Sequence, residues 1–443
     1  MPSRRSAWTS LLGKEWRELA SSRAWWTMLL LTGPLVGVCF IRAVDTYAEL
    51  SGLNGSVAGV GEAFSPLVGI WAPTFSAYEL VAAFLLPFVV IRVVAGDRQS
   101  GASKLEQQQT ALSPLARMTA KASVLAAGWL VASLGSALAL LLWTAYGGHT
   151  HGPEVVAVAL GHLLNAGLTI ALAAAMASLA DHPATAAILT LAFTVGTWVL
   201  SFAAAVHGGL WEQLAGYTPP VMVATFQHGL VRADVVLAAA ALIATGLALA
   251  AVWMRTGIAP RQRGLESLAV VGAASLAIFT STFVRASWDL SESRYSSFAR
   301  ADEAALRRIR SPLRLEVHLA PQDPRRYDLE RHALSKLRRT LPRLQVQYVS
   351  SSSTGLFEQT SRDYGEIFYE LGGRKTASRA TSAEGVLETI YELAGVTPPT
   401  PSDDDVYRGE PLAAPPKGAA ILFYGVWPAL VGGAGYLSLR RRT

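Results

Sequence analysis

The chain has 443 residues, of which 51% are apolar and 16% are charged, and its formal net charge is +6. Because soluble domains carry roughly 25% charged residues, this composition argues against a water-soluble enzyme. The charge is also uneven, since 39 of the 70 Lys, Arg, Asp and Glu side chains fall in residues 285–417. This distribution indicates a membrane protein with one inserted hydrophilic domain, and it favours a bilayer over nucleic acid as the partner.

The N-terminal segment, residues 1–23, precedes the first apolar stretch. Trp8, Leu12 and Trp16 recur at helical spacing, which predicts an amphipathic helix in the cytoplasmic interface with its tryptophans at headgroup depth. A cytoplasmic tail with some helical bias is the alternative. A cleaved export signal fits less well, because the apolar stretch starts only near Ala24 and no A-x-A site follows it.

Eight apolar segments are long enough for a bilayer core of about 30 Å, which needs about 20 residues per helix. They are residues 24–44, 76–95, 121–145, 155–180, 184–206, 235–254, 266–284 and 419–437. The short loops on one side hold nearly all the Lys and Arg residues, whereas the other side has only Arg42 and Arg232, so both termini are expected in the cytoplasm. The predicted fold class is mainly α, a polytopic membrane protein with about eight transmembrane helices and one extracytoplasmic α/β domain between helices seven and eight.

The longest cytoplasmic loop covers residues 96–120. Asp97 and Arg98 come directly after the second span. Pro114 is expected to end a short helix over about 102–112, because proline is tolerated only in the first turn of a helix. A short helix parallel to the membrane is well placed to receive force from a soluble partner, although a solvated connector that only fixes topology would have the same sequence pattern.

This loop resembles the corresponding loop of ABC-2 type transporter permeases, which has an acidic-basic pair, a glycine step, a short helix and a Pro-x-x-Arg followed by Lys. The matching positions are Asp97, Arg98, Gly101, Glu106, Pro114, Arg117 and Lys121. The KEWREL sequence around Glu15 is similar to the interfacial helix of the same family. The resemblance covers about residues 1–255, of which 24–255 would form the usual six-helix permease domain.

The resemblance implies a transport subunit that is not itself an enzyme, with the loop residues above coupling it to an ATPase. The sequence contains no G-x-x-x-x-G-K-[ST] motif, so ATP and Mg²⁺ are expected on a separate ABC-type ATP-binding subunit and no cofactor on this chain. The resemblance also implies a homodimer in the bacterial cytoplasmic membrane that exports a lipid-like, polymeric or peptide substrate. The open alternative is a non-transporting anchor that presents the external domain to an envelope machine such as a gliding or secretion apparatus.

Residues 256–284 are predicted to form a linker and the seventh span, and residues 285–396 a small α/β domain. Helices are predicted over Ala301–Arg310, Tyr327–Leu341 and Ala383–Ala394, and strands over Leu313–Leu319, Leu344–Val349 and Glu366–Leu371. The order strand–helix–strand predicts a parallel pair. The Pro-rich, acidic residues 397–418 are predicted to be a tether, and residues 419–443 the eighth span with a basic cytoplasmic tail.

The insert resembles the external domain of the auxiliary subunit of gliding-motility-type ABC transporters, over about residues 266–437. The matching positions are Asp289, Leu290, Arg294, Tyr295 and Ser296, followed by Tyr364, Gly365, Glu366, Gly372, Gly373 and Arg374. The resemblance implies that permease and auxiliary subunits are fused in one polypeptide. It leaves residues 285–417 open to substrate or to an extracytoplasmic protein partner.

The sequence shows no catalytic constellation and no metal-ligand spacing, so a membrane-embedded enzyme is the least favoured class. The spans are expected to hold almost no ionisable side chain near the bilayer midplane, with Asp45 and Glu79 close to the outer interface. Gly33 and Gly37 are candidates for a bend in the first span.

Overall fold

In a computed structural model, the described residues are 4–54, 65–101, 112–207, 210–320, 323–341, 343–349, 363–400, 407–412, 414 and 416–440. They fold mainly as helices with a small sheet region. The chain divides into two compact units. The helical unit comprises Met1–Val199, Tyr217–Leu290 and Gly409–Thr443, and the lobe comprises Leu200–Gly216 and Ser291–Arg408.

Eight helices among the described residues are long and apolar enough to cross a bilayer, and each overlaps a predicted span. They run over Arg23–Ser51, Leu67–Gln99, Pro114–Ala145, Gly152–Leu179, Pro183–Ala204, Ala233–Trp253, Pro260–Ser281 and Ala419–Arg440. Most of them extend past the predicted bounds, because helical hydrogen bonding continues beyond the apolar stretch into polar residues. Their length and composition are compatible with a multi-pass membrane protein.

The elements follow one another in chain order. The first are α1 (Arg4–Ala20), α2 (Arg23–Asn54), a π-helical turn (Leu67–Trp71), α3 (Ala72–Phe84), α4 (Leu86–Gln99), α5 (Pro114–Ala132), α6 (Leu134–Ala145), α7 (Gly152–Leu179), α8 (Pro183–His207), α9 (Leu210–Ala215), α10 (Pro219–Gln227), β1 (Leu230–Arg232), α11 (Ala233–Trp253), α12 (Pro260–Ser281) and β2 (Ser287–Asp289). The lobe then has α13 (Arg300–Leu306), β3 (Leu313–Val317), α14 (Pro324–Leu329), a π-helical turn (Glu330–Leu334), α15 (Ser335–Thr340), β4 (Leu344–Tyr348), β5 (Ile367–Leu371), β6 (Arg374–Ser378) and α16 (Ala383–Ala394). The last are α17 (Ala419–Ile421), a π-helical turn (Leu422–Val426) and α18 (Trp427–Arg440).

Two glycines allow the C-terminal helix to pack closely against α2. A Cβ at Gly33 would clash with the side chain of Trp427, and a Cβ at Gly37 would clash with Phe423. The indole nitrogen of Trp427 donates a 2.8 Å hydrogen bond to the carbonyl of Leu29. The glycines considered for a bend in the span therefore have a packing role, as small residues commonly do between membrane helices.

The second half of the predicted tether is held against α2. The hydroxyl of Tyr47 donates to the carbonyl of Glu410 at 2.8 Å, and the amide of Leu412 donates to the hydroxyl of Ser51 at 2.9 Å. Leu412 is also buried in the core of the helical unit. The prediction of a solvated tether over residues 397–418 is therefore wrong for this part, because backbone polar groups find partners on α2.

The lobe contains a four-stranded sheet in the order β4-β3-β5-β6. β3 and β4 are parallel, with Leu313 opposite Leu344, which confirms the predicted parallel pair. β5 is antiparallel to β3, and a turn at Gly372 and Gly373, with φ of 57° and 84°, leads into β6. Glycine adopts these angles without the strain that a side chain would cause. β6 was not predicted, because its sequence RKTAS lacks the apolar alternation of a half-buried strand.

The lobe helices differ from prediction mainly at their ends. The helix predicted over Tyr327–Leu341 consists of α14, a π-helical turn and α15, and it begins earlier because Asp323 caps its N-terminus. The helix predicted over Ala301–Arg310 ends at Leu306. The bounds of α16 are as predicted, and the amphipathic stripe of α16 packs into the lobe core.

Candidate functional site

Three helices meet at the two ends of the predicted coupling loop. From α5, Nζ of Lys121 donates to both carboxylate oxygens of Glu15 on α1, each at 2.7 Å, and to Oδ2 of Asp97 on α4. Lys14 adds a second ammonium, 3.6 Å from Oε1 of Glu15 and 3.8 Å from Oδ1 of Asp97. We call Lys14, Glu15, Asp97 and Lys121 the ion cluster.

The ion cluster is largely removed from water. The side chains of Glu15, Lys121 and Asp97 are 1%, 3% and 7% exposed, and Lys14 also pairs with the partly exposed Glu18 at 3.2 Å. Burial raises the pKa of Glu15, and the positive charge of Lys121 opposes that effect. The attraction between buried charges offsets only part of the free energy that they lose on leaving water. Such a cluster is therefore a weak source of stability.

Glu15 reaches the cluster because of the helical repeat of α1. Leu11, Glu15 and Leu19 are one turn apart and buried, so they form the face that packs against α5. The residues predicted to lie in the interface therefore differ in burial: Glu15 is buried, Trp8 and Leu12 are half-buried, and Trp16 is exposed. The sequence pattern predicted an apolar face turned to the membrane interface, whereas the structure buries Glu15 between Leu11 and Leu19.

Arg98 connects the end of α4 to the end of α7. Its Nη1 donates to the carbonyls of Ser178 and Ala180, both at 2.9 Å, and its Nη2 donates to Oδ1 of Asp181 at 3.1 Å. Carbonyls in the last turn of a helix lack intrahelical partners, and a guanidinium can satisfy them. The two residues of the acidic-basic pair therefore have different partners: Asp97 belongs to the ion cluster, and Arg98 binds the end of α7.

The coupling loop itself is described only at its ends. Gly101 has a φ of +73°, a left-handed value that favours glycine. Glu106 and nearly all of the helix predicted over 102–112 lie outside the described residues.

Beyond the loop, Pro114 is the first residue of α5. The Ser113 hydroxyl accepts a 3.2 Å hydrogen bond from the amide of Ala116 and so caps the helix. Arg117 lies one turn before Lys121, and its side chain is also buried. The Pro-x-x-Arg and Lys positions of the motif therefore lie within one helix, two turns or less from its start.

A second polar cluster, which was not predicted, lies within the apolar helices. Gln227, at the end of α10, donates from Nε2 to Oε1 of Glu79 at 2.7 Å, and the same nitrogen lies 3.3 Å from Nε2 of His162. His162 is 3% exposed and lies against the rings of Phe75 and Tyr78. Its Nδ1 has no hydrogen-bond partner among the described residues.

Glu79 and His162 are thus two ionisable side chains that lie on membrane-length helices, and the depth expected for them relative to a bilayer stays a prediction. The second span was predicted to begin at residue 76, whereas the helix begins at Leu67. α10 can approach α7 closely because Gly161 has no side chain; a Cβ there would clash with Phe226. This contact between distant segments cannot be read from the sequence pattern. One imidazole, one carboxylate and one amide are too few ligands for a structural metal site.

The first external-domain motif contributes to local structure. Asp289 pairs in β2 with β1 of the helical unit. Arg294 has a φ of 51°, and its Nε donates to the carbonyl of Phe298 at 2.8 Å. The hydroxyl of Tyr295 accepts a hydrogen bond from Arg331. These contacts fix the chain that leads into α13, and they form no reactive arrangement.

The second external-domain motif also has structural contacts. The hydroxyl of Tyr364 donates to Oδ2 of Asp323 at 2.8 Å, and Arg325 pairs with the same carboxylate. The hydrogen bond from Arg325 lowers the pKa of Asp323 to about 2, and burial raises the pKa of Tyr364. Gly372 and Gly373 form the β5–β6 turn described above.

The two carboxylates of the ion cluster and the neighbouring Glu18 have the spacing of a cation site. Oxygens of Glu15, Glu18 and Asp97 lie within 4.8 Å of one another. The ammonium groups of Lys14 and Lys121 already contact these oxygens, so they take the positions that a divalent cation would need. The arrangement favours an internal ion network over a metal centre.

Comparison with protein-family models, with curated proteins and with solved structures finds no match to this chain. The resemblance to ABC-2 permeases and to gliding-type auxiliary subunits therefore rests on the sequence motifs.

Proposed function

We propose that this chain is the permease subunit of an ABC-2 type transporter. It acts as a homodimer in the bacterial cytoplasmic membrane with a separate ATP-binding subunit, and it exports a lipid-like, polymeric or peptide substrate. The observation that carries the proposal is the ion cluster, because Glu15, Asp97 and Lys121 join α1, α4 and α5 at the motif loop.

The geometry supports transmission of force from this loop to several helices. The connection between α4 and α5, residues 100–113, begins three residues after Asp97 and ends eight residues before Lys121, so a push on it reaches both helices through side chains that share hydrogen bonds. Arg98 extends the connection to the end of α7. Motion of a packed helix group about such contacts is a common form of switching transition.

The energetic cost of the cluster also supports a role beyond stability. Replacing a buried ion pair with apolar side chains of similar volume is often neutral or stabilising by 1–4 kcal/mol. Glu15 and Lys121 are almost fully buried, so apolar residues at these positions would serve packing as well. Ion pairs hold one relative geometry of the helices, which is what a coupling element requires.

ATP chemistry is assigned to the partner. The 443-residue sequence has no phosphate loop of the G-x-x-x-x-G-K-[ST] type, and the basic side chains of the ion cluster are already paired with carboxylates. In this proposal the chain moves substrate and the ATP-binding subunit holds ATP and Mg²⁺.

The experiment reverses one charge in the loop. The tagged full chain and its ATP-binding subunit are purified from native membranes and reconstituted, and ATP hydrolysis is measured. Glu106→Lys is expected to abolish association or reduce stimulated hydrolysis by at least about tenfold, whereas Glu49→Lys, an exposed position on α2 with the same charge change, retains both. Unchanged association and hydrolysis in Glu106→Lys would overturn the proposal.

A membrane anchor is the second candidate. It is favoured by the lobe, which has its own sheet and its own hydrophobic core and could be presented to an envelope partner without any flux. The anchor requires no ATPase at the loop, so the same experiment separates the two functions.

A further inference from the structure

A cavity of about 540 Å³ lies in the lobe, between the segment that follows α13 and the segment that follows α15. Four of its lining residues are arginines: Arg307, Arg310, Arg339 and Arg343. In the part of the chain that the structure describes, no acidic residue lines the cavity. The cavity therefore has four positive charges and no negative one.

The sheet fixes the position of these arginines. β3 and β4 are parallel, so the segments that enter them lie at the same sheet edge. The amide of Leu313 donates to the carbonyl of Arg343 at 3.1 Å, and Leu313 and Leu341 are buried in the lobe core. The two arginine-bearing segments are thus tied to each other and to the core.

The carboxylate beside Arg307 is shared with a second arginine. Glu303 lies 3.5 Å from Arg307, but it also pairs with Arg294 at 3.2 Å. Basic residues at helix C-termini can simply stabilise the helix dipole, and this explanation suits Arg307 and Arg339. It does not explain Arg310 and Arg343, which lie in the segments after the helices.

We propose that this cavity binds a phosphate-bearing anion. Guanidinium groups match phosphate oxygens in bidentate geometry, and a phosphate monoester supplies about −1.5 to −2 charges against the −1 of a carboxylate. The volume of about 540 Å³ falls within the range of about 300–1,000 Å³ that is usual for ligand pockets, so the cavity has room for a ligand larger than a single phosphate ion. A diphosphate or a phosphorylated lipid headgroup has the required charge and size, and this inference does not depend on the transport proposal.

The test measures binding to the full chain in nanodiscs of phosphatidylcholine by calorimetry. The probes are inorganic diphosphate, the short-chain lipid dihexanoyl phosphatidic acid, which is a phosphate monoester, and a triglutamate peptide. The variant is Arg310→Gln with Arg343→Gln, and the matched control is Arg308→Gln, an exposed position at the same helix end that does not line the cavity. Thermal unfolding of each variant checks that the lobe remains folded.

The double variant is expected to weaken binding by at least about tenfold, because charge-assisted hydrogen bonds are lost, while Arg308→Gln binds as the unmodified chain does. Binding of diphosphate identifies a soluble ligand, and binding of the short-chain lipid alone identifies a headgroup; both outcomes support the proposal. It is overturned if neither probe binds, if Arg308→Gln weakens binding equally, or if triglutamate binds as tightly as diphosphate.

Discussion

Removal of Lys121 is the sharpest perturbation of the ion cluster. Lys121→Met keeps the length of the side chain and deletes its charge, which leaves two buried carboxylates, Glu15 and Asp97 at 1% and 7% exposure, facing the one ammonium of Lys14 at 3.6 and 3.8 Å. At this burial water cannot replace the lost partner. Breaking a buried pair by removing one member costs about 3–5 kcal/mol, and we expect the free energy of unfolding of the helical unit to fall by that amount.

The assay is reversible unfolding of the full chain in mixed SDS micelles, read by tryptophan fluorescence. The control is Glu15→Gln with Asp97→Asn and Lys121→Met, which removes the three most deeply buried charges of the ion cluster together and is expected to recover most of the loss. The loss in Lys121→Met is also expected to shrink at lower pH, because burial raises the pKa of Glu15 and the protonated form is the one the fold favours. A cost below about 1 kcal/mol for Lys121→Met, or an equal cost for the triple variant, would refute the reasoning.

Three further predictions concern other parts of the chain. Gly37→Leu is expected to displace the C-terminal helix and destabilise the helical unit by about 1–3 kcal/mol, whereas Gly432→Leu, where the space is open, is close to neutral; cysteine cross-linking between the two helices measures the displacement. Because Arg325 lowers the pKa of Asp323 to about 2 from a model-peptide value of 3.8, the stabilisation from Asp323 is present above that ordinary value and is lost as pH falls through about 2; circular dichroism of Asp323→Asn should lack this acid-dependent loss. Gly373→Val forces a branched side chain to a φ of 84° and is expected to lower lobe stability by about 1–3 kcal/mol in chemical denaturation; a variant as stable as the unmodified chain would contradict the assigned turn.

The membrane-length helices were predictable because the signal is local. Length and apolar composition suffice for a span, and alternation sufficed for β3 and β4. The same logic failed for β6, whose exposed edge position needs no apolar alternation. It also failed for the second half of the tether, since the partners of Glu410 and Leu412 lie on α2 far away in the chain.

The candidate site was predictable only in part. Asp97 and Lys121 were identified from the motif, but Glu15 is 106 residues from Lys121, and nothing local indicates that these charges meet. The contacts of Glu79 and His162 with Gln227 were missed for a related reason, because Gln227 reaches them from a short helix whose approach depends on glycine packing. Contacts among three separate helices require the tertiary fold.

The central claim is that the loop beside the ion cluster faces the cytoplasm, since otherwise no ATP-binding subunit can reach it. In a Cys39→Ser background, Gln99→Cys reports on the loop and Glu388→Cys on the lobe, both at exposed positions. We expect a membrane-impermeant maleimide to label Gln99→Cys only in inverted vesicles and Glu388→Cys only in right-side-out vesicles. Labelling of Gln99→Cys from the outside, or of both positions from one side, would contradict the claim.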